Sequence, residues 1–365
     1  MKIAVIIDTW FPHIGGGQIN AYETSKRLAQ KGVNVDIITR NNGKDNLTQI
    51  KNLKVIKLGS FKKPHDLISQ IIFCLRSYFF VLKRDYDLVH AHAFWPGITA
   101  RLLMITKGLS AIFTIHGTSI GTNLLNPLAR TIERFILTEI LYSAQITVSR
   151  DFLTLKNINR KIFYIPNGVD LKKFTNYEKV KSKERTLLFV GRLHPQKNLP
   201  NLIKSISIIK RQMPLKLIIA GDGPQKQELK KLIKNELLAD TVEMIGEVTP
   251  DLLKNYYSKS HLFILPSIYE GFPLTLLEAW SAKLPVVVTK TGECQYLIKN
   301  SKNGYLIDDP NSPDKIAKTV IKAFSSKNLE KLGLAGYNLV KSRFTWERAA
   351  QETLKAYENI LKAQN

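Results

Sequence analysis

The sequence predicts an α/β protein of two Rossmann-like domains, each built on a parallel sheet. Short apolar runs alternate with stretches of helical period along the whole chain, the pattern of parallel strands joined by crossover helices. The 365 residues exceed what one ordinary core takes up. A composition 44% hydrophobic and 23% charged belongs to a globular chain rather than a disordered one.

Runs at 2–8, 33–39, 53–58, 88–92, 111–116, 145–149 and 161–165 read as the seven strands of a first domain, residues 1–183. In the first run only five apolar residues precede Asp8, which makes it a strand and not a signal peptide. No run approaches the roughly 18 apolar residues of a membrane span. Phe11-Pro12-His13-Ile14-Gly15-Gly16-Gly17 then leads into a helix over 19–31. A Gly-rich turn after a first strand lets the backbone approach a phosphate, although a tight turn without ligand uses the same residues. The spacing is not G-x-G-x-x-G, and the second strand ends in Thr39 and Arg40 where an NAD site carries an acid, so dinucleotide binding is not expected.

Over 67–82, Ile68, Ile71, Ile72, Leu75, Phe79 and Leu82 keep a helical period, and Phe73, Phe80 and Val81 widen the stripe. Lys62, Lys63, Arg76, Lys83 and Arg84 flank or interrupt it. Such a helix either rests on a membrane as a basic amphipathic element or is buried against the sheet. Burial is the expectation, because the other helices need the same kind of face. Residues 101–107 and 123–141 are further candidates for a lipid-facing surface. His90 and His92 share one strand face, as a metal pair would, but no third ligand is visible nearby. His116 closes the strand 111–116, at the end where open α/β sheets bind ligands. Pro166-Asn167-Gly168-Val169-Asp170 is a turn, and the polar stretch 176–185 reads as a linker.

A second domain, 184–344, opens with the strand 186–191, ending at Gly191, followed by Arg192-Leu193-His194-Pro195-Gln196-Lys197-Asn198. Asn198 is the expected N-cap of a helix over 199–210. Arg192 and Lys197 in a turn at a strand's carboxyl end can neutralise charge growing on a departing nucleotide diphosphate, Arg as a fork and Lys as a point charge. The strand 216–220 runs into the turn Gly221-Asp222-Gly223-Pro224, and 241–246 is the next strand. The apolar run 261–265 leads into Pro266-Ser267-Ile268-Tyr269-Glu270-Gly271-Phe272-Pro273-Leu274-Thr275-Leu276-Leu277-Glu278, with helix expected over 276–282. Gly271 lets the backbone come close to a ligand, and Pro273 suits a first helical turn whose free N–H groups take an anion. Glu270 and Glu278 would stand about 10 Å apart. That is too far for both to act on one bond, and suited to holding hydroxyls at opposite ends of an elongated ligand with a diphosphate in its middle. A strand at 285–289 and a turn Thr291-Gly292-Glu293 follow, and a last amphipathic helix runs from Thr345 as N-cap through 361.

The formal net charge is +24, and residues 1–183 hold 27 Lys/Arg against 12 Asp/Glu, an excess of +15. Such an excess attracts anionic lipid, phosphorylated substrates or nucleic acid; dispersed lysines are equally an ordinary solvated surface. Cys74 and Cys294 lie in unrelated segments without ligand spacing, so neither a disulfide framework nor a zinc site is expected.

Glu270 and Glu278, with Pro266-Ser267 before them and Gly271-Phe272-Pro273-Leu274 between them, resemble the E-x7-E signature of the retaining glycosyltransferases of family 4. Gly191-Arg192-Leu193 with Lys197, the turn at Gly221, His116-Gly117 and the segment at Pro166 extend the likeness over nearly the whole chain. The resemblance implies a GT-B fold, with two Rossmann-like domains facing across a cleft and a C-terminal helix, 345–365, crossing back to the first. It implies that Glu270 holds donor-sugar hydroxyls and Glu278 the nucleotide ribose. Gly191, Arg192, Lys197 and the turn from Gly271 through Phe272, Pro273 and Leu274 then serve the diphosphate, and Gly246 and Val248 the base. Gly15, Gly16 and Gly17 lie over the diphosphate and acceptor, and His116 contacts the donor sugar.

Retention at the anomeric carbon, with no metal and no cofactor, also comes only from the resemblance. So do the partners: a UDP- or GDP-sugar donor and a sugar, glycan or lipid-linked acceptor, as in lipid-linked glycan, polysaccharide or glycolipid synthesis. A cytoplasmic chain, peripheral on an anionic inner membrane face, is the expectation, and no nucleic acid is expected. A GT-B nucleotide-sugar epimerase, which would need acid/base carboxylates in the cleft, stays open. So does a non-enzymatic basic membrane binder, which would leave Arg192, Lys197, Glu270 and Glu278 unexplained. A phosphorylase-like enzyme would need a pyridoxal lysine, for which no motif is present.

Overall fold

The computed structural model describes residues 1–11, 15–41, 43, 47–59, 66–117, 127–175 and 182–363. Pro12, His13 and Ile14 of the first turn, Lys62 and Lys63, residues 123–126 of the 123–141 candidate and 176–181 of the linker fall outside them. The chain forms two compact units, Met1–Gly168 with Trp346–Asn365, and Val169–Thr345. The boundary thus lies at Gly168/Val169, upstream of the 183/184 division expected from the polar stretch. Val169 donates to Phe344 O at 3.0 Å and bridges Thr345, so the chain enters and leaves the second unit at paired residues.

In the first unit the chain runs β1 (Lys2–Ile7), α1 (Gly16–Gln30), β2 (Asn34–Arg40), β3 (Leu53–Leu58), α2 (Leu67–Leu82), β4 (Leu88–His92), α3 (Phe94–Lys107), β5 (Ser110–Ile115), α4 (Pro127–Thr138), β6 (Ala144–Thr147) and β7 (Ile162–Tyr164). The sheet is ordered β3-β2-β1-β4-β5-β6-β7, with every pair parallel. Ile3 to Ile7 are almost wholly buried, as a central strand covered on both faces requires. The order reverses between β1 and β4. With right-handed crossovers, α1 lies on one face of the sheet and α2, α3 and α4 on the other. Phe73, Val81, Ala100, Leu103 and Leu137 from those three helices accordingly share one core with Ala4, Ile6, Val89 and Phe113.

The expected burial of the α2 stripe is overturned. Ile68, Leu75 and Phe79 are 72%, 54% and 53% exposed, and Leu67, Ile71 and Ile72 are exposed beside them. The side of α2 that faces the sheet carries Phe73 and Val81 but also Ser69, Gln70 and Ser77. These polar groups answer buried partners: Ser69 Oγ accepts from Arg40 Nη1 at 2.9 Å, and Gln70 Nε2 donates to Asp8 Oδ2 at 3.0 Å. Arg40 is fully buried and gives its Nε to Asp8 O at 2.6 Å, so it is a structural anchor and not a surface ligand group. Burial raises the Asp8 carboxyl above the usual range, against the lowering effect of Arg40 and Gln70.

The second unit runs α5 (Lys172–Thr175), β8 (Thr186–Val190), α6 (Leu199–Lys210), β9 (Lys216–Ala220), α7 (Lys226–Asn235), β10 (Val242–Gly246), α8 (Pro250–Lys259), β11 (Leu262–Leu265), α9 (Leu274–Ser281), β12 (Val286–Thr289), α10 (Cys294–Leu297), β13 (Tyr305–Ile307), α11 (Pro313–Phe324) and α12 (Leu329–Arg343). Its sheet, also all parallel, is ordered β10-β9-β8-β11-β12-β13, and the order reverses between β8 and β11. β13 was not expected; Tyr305, Leu306 and Ile307 are too short a run to stand out. The last helix, α13 (Trp346–Lys362), belongs to the first unit and packs on α1. There Arg27 Nε pairs with Glu347 at 2.8 Å, and Tyr357 OH shares a 2.6 Å hydrogen bond with His90 Nδ1.

Candidate active site

Each sheet reverses its strand order once, and the carboxyl ends beside that reversal are where open α/β sheets take ligands. In the second unit these ends are Gly191 after β8 and Pro266 after β11. Backbone bonds tie the strand-end turns together: Gly191 N–H to Ala220 O at 3.0 Å, Leu193 N–H to Asp222 O at 2.9 Å and Gly221 N–H to Gly246 O at 2.7 Å. A Cβ on Gly221, whose φ is +140°, would stand 2.0 Å from Gly191 O, so only glycine fits there.

Lys197 closes a short 3-10 turn, Pro195–Lys197, and its Nζ lies 2.5 Å from Glu270 Oε1. Ser267 Oγ donates to the same oxygen at 2.6 Å. Glu270 is buried, at 6% exposure, and its Oε2 makes no hydrogen bond among the described residues. One oxygen is fixed and the other is left to accept from a ligand. The two turns are also joined by Ile268 N–H to Gln196 O at 2.8 Å and by Gln196 Nε2 to Tyr269 O at 2.7 Å.

Asn198 departs from its expected role. Its backbone is left-handed, at φ 57°, and its side chain makes no cap bond; its Nδ2 donates instead to Pro266 O at 3.2 Å and Pro310 O at 2.6 Å. It fastens the end of β11 to the turn that carries Lys197. Beneath the pair, Gly292 at φ +50° abuts Glu270: a Cβ there would come 1.5 Å from Glu270 O. Glu293 N–H donates to Gly271 O at 3.2 Å, and burial, with the Glu270 charge beside it, raises the Cys294 thiol.

Gly271, Phe272 and Pro273 are buried and lead into α9, which starts at Leu274, two residues before the expected 276, with Pro273 as its cap residue. Glu278 sits on that helix apart from the Lys197–Glu270 pair. Tyr257 OH donates to its Oε2 at 2.9 Å, while Oε1 makes no hydrogen bond among the described residues. Burial raises the Glu278 carboxyl; the Tyr257 hydrogen bond and the Lys173 charge oppose this. Both glutamates therefore present one held and one open oxygen. Arg192 is exposed, and its side chain has no partner among the described residues. Gly246 and Val248 lie at and just past the end of β10, Gly246 at φ +75° and both half-buried.

In the first unit α1 begins at Gly16, earlier than the expected residue 19, so Gly16 and Gly17 form its first turn and Gly15 its cap. None of the three glycines has positive φ. Gly17 is explained by proximity instead: a Cβ on it would lie 3.2 Å from His116 Cδ2. His116 Nε2 shares a 2.9 Å hydrogen bond with His92 Nδ1, the two rings stacked with centroids 5.2 Å apart. His90 is held between Tyr357 OH and Thr114 Oγ1, each at 2.6 Å. Burial keeps all three histidines neutral: it lowers His90 to about 3 and His116 to about 4, and takes His92 well below its ordinary value, with its histidine neighbours adding to the effect. His116 Nδ1 is buried without a partner among the described residues. The rings bond to one another, and no group of three or more His, Cys, Asp or Glu among the described residues is placed to hold a metal.

Arg192, Lys197, Glu270 and Glu278 are all marked in the sequence; Lys173, whose charge acts on Glu278, is not. His92 stands there only beside His90, as half of a pair lacking a third ligand, whereas in the structure it is the residue that holds His116. Tyr257 carries no mark at all, since nothing in the sequence points across the 21 residues separating it from Glu278.

Comparison with known proteins gives the family and the fold. The family model for glycosyl transferases group 1 matches residues 172–338, and that for glycosyltransferase family 4 matches residues 14–173. The chain is 28% identical over 386 residues to an uncharacterized glycosyltransferase of Methanocaldococcus jannaschii, covering 98% of each. It is 26% identical over 376 residues to one of the subunits of human phosphatidylinositol N-acetylglucosaminyltransferase, covering 98% of this chain and 76% of that protein. Among solved structures, Anabaena HepE in complex with UDP and glucose superposes with a TM-score of 0.82 at 17% identity, covering 98% of this chain and all of that one.

Proposed function

Since the chain belongs to the family 4 glycosyltransferases, with the GT-B fold, we propose that it transfers a hexose or N-acetylhexosamine from a UDP- or GDP-sugar to an acceptor hydroxyl, with retention and without a metal. The observation that carries this reading is the pairing of half-buried Lys197 with buried Glu270 at the strand-order reversal of the second sheet, with one Glu270 oxygen open. Glu270 Oε2 accepts from donor-sugar hydroxyls and the open Glu278 oxygen from the ribose. The Gly271–Pro273 turn brings the N–H groups of α9 to the diphosphate.

In the reaction the bond from the anomeric carbon to the β-phosphate oxygen breaks, and a bond to the acceptor oxygen forms on the same face. The acceptor's proton passes to the leaving phosphate. Lys197 and Arg192 stabilise the charge that grows on that phosphate, the task a divalent cation would otherwise perform. Neutral His116, whose Nδ1 has no partner among the described residues, is suited to a sugar hydroxyl. The name of the human relative favours an N-acetylglucosamine donor and a lipid acceptor, and the ligands of HepE favour a UDP-linked donor.

A thermal-shift panel of UDP, GDP, ADP and their sugars, with EDTA and then with magnesium, tests the donor half of the reading. Stabilisation by one nucleoside diphosphate and its sugar in EDTA is expected. NAD alone raising the melting temperature, or a shift seen only with magnesium, would refute it. Arg192→Gln is expected to leave stability within about 0.5 kcal/mol while slowing transfer, and the anomeric configuration of the product, read by NMR, decides retention.

A further inference from the structure

We propose that the outer face of α2, α3 and α4 docks on the surface of a bilayer that contains anionic lipid. The polarity of α2 is the first ground. Leu67, Ile68, Ile71, Ile72, Leu75 and Phe79 form one stripe at helical spacing, and it is the exposed stripe, while Ser69, Gln70 and Ser77 face the protein. A globular helix normally has the reverse arrangement. The stripe continues on neighbouring elements. Leu102 and Ile105 of α3 and Leu128, Ile132 and Phe135 of α4 are exposed, each set at helical spacing. α2 packs on α3, and all three helices cover the same side of the sheet. The opposite side is treated differently, since α1 there is covered by α13.

Charge identifies the occupant. Arg76, Lys83 and Arg84 flank the α2 stripe, and Arg101 and Arg134 stand on α3 and α4. No acidic residue occurs within α2 or α3. A second copy of this face would set like charges against each other. An anionic bilayer instead takes the apolar side chains about 5–10 Å into its interface and the cations at its headgroups. None of the described helices is long and apolar enough to cross a membrane, so the contact is with the surface. In the second unit, Leu237, Leu252 and Leu334 are exposed as single side chains and form no such stripe.

The test is partition of the full chain onto vesicles of phosphatidylcholine alone or mixed with phosphatidylglycerol, by flotation at low and high salt. Binding is read without turnover, so its result is independent of the glycosyl-transfer reading. Wild-type chain is expected to float with the anionic vesicles at low salt and to be released by high salt. Arg76→Gln with Lys83→Gln is expected to lower the partition coefficient about 30-fold, and Ile68→Glu with Leu75→Glu and Phe79→Glu to abolish flotation. Leu237→Glu with Leu252→Glu and Leu334→Glu, the control, should float as wild type. Equal flotation with uncharged vesicles, wild-type flotation of the α2 variants, or a dimer that those variants dissociate would each overturn the proposal.

Discussion

At the carboxyl end of the first sheet two buried histidines and a half-buried third lie uncharged, bonded to one another, to Thr114 and to Tyr357. At the carboxyl end of the second sheet a lysine and a glutamate lie paired as ions, packed against glycine turns. The two ends share one topological position and differ in how they meet the cost of burying polar groups. Histidine can shed its charge, and burial makes it do so. Lys197 and Glu270 meet it by pairing, with Ser267 as a further donor. A charged end suits a diphosphate, and a neutral one suits sugar hydroxyls.

The sharpest way to break this contrast is to remove the cation. Lys197→Ala is expected to lower turnover by about 10²–10³-fold, the range for loss of one preorganised charge-stabilising donor. It also leaves the Glu270 carboxylate buried and unpaired, at a stability cost of about 3 kcal/mol. Adding Glu270→Gln should restore part of that stability in a denaturant titration and none of the turnover. If the double variant recovered activity, the ions would be scaffolding. Gly292→Ala probes the same end through the backbone. Positive φ and the contact with Glu270 O together predict a loss of about 2–3 kcal/mol, with turnover falling alongside. An unchanged melting temperature would show that Glu270 is not held from below.

The charged end was legible in the sequence because its residues follow directly on apolar runs. Arg192, Lys197, Glu270 and Gly271 each sit just past a strand, and strand ends can be read from a single segment. Twelve of the thirteen strands among the described residues were legible for the same reason. The neutral end was less so. That His92 holds His116, and that Tyr357 reaches His90, depends on residues far apart in the chain becoming neighbours through parallel pairing and the packing of α13. The direction of α2 was misread because periodicity reports that a helix has two unlike faces, not which one meets the protein. Asp8 and Arg40, both buried, call for polar residues on the inner side of α2, and neither lies in its segment.

The pH dependence of stability distinguishes the two ends next. A histidine whose folded-state value is lowered binds fewer protons folded than unfolded, so stability rises with pH across the interval between the two values. The histidine contribution is therefore fully present above about 6.5 and is lost as pH falls towards about 4 for His116 and about 3 for His90. The melting temperature should fall steadily over that interval, and His116→Gln should flatten the upper part of the slope. A variant as steep as wild type would mean that His116 is already protonated in the folded chain.

The smallest effect expected sharpens the contrast within the charged end itself. Glu278 has a hydroxyl partner where Glu270 has a cation, and burial has already raised its carboxyl. Tyr257→Phe removes the 2.9 Å hydrogen bond and should cost about 1 kcal/mol of stability. It also removes an influence that holds the carboxyl down, so protonation of Glu278 moves to higher pH. Were the ribose held at Glu278 as proposed, protonation would cost the carboxylate the charge that strengthens those hydrogen bonds, and donor affinity should weaken as pH falls through the range in which Glu278 protonates. In Tyr257→Phe the weakening should therefore begin at higher pH than in wild type, with the turnover of bound donor nearly unchanged. Calorimetric titration of donor at several pH values would show the displacement. A profile that did not move would place Glu278 outside the donor contacts and leave Lys197 and Glu270 as the working part of this end.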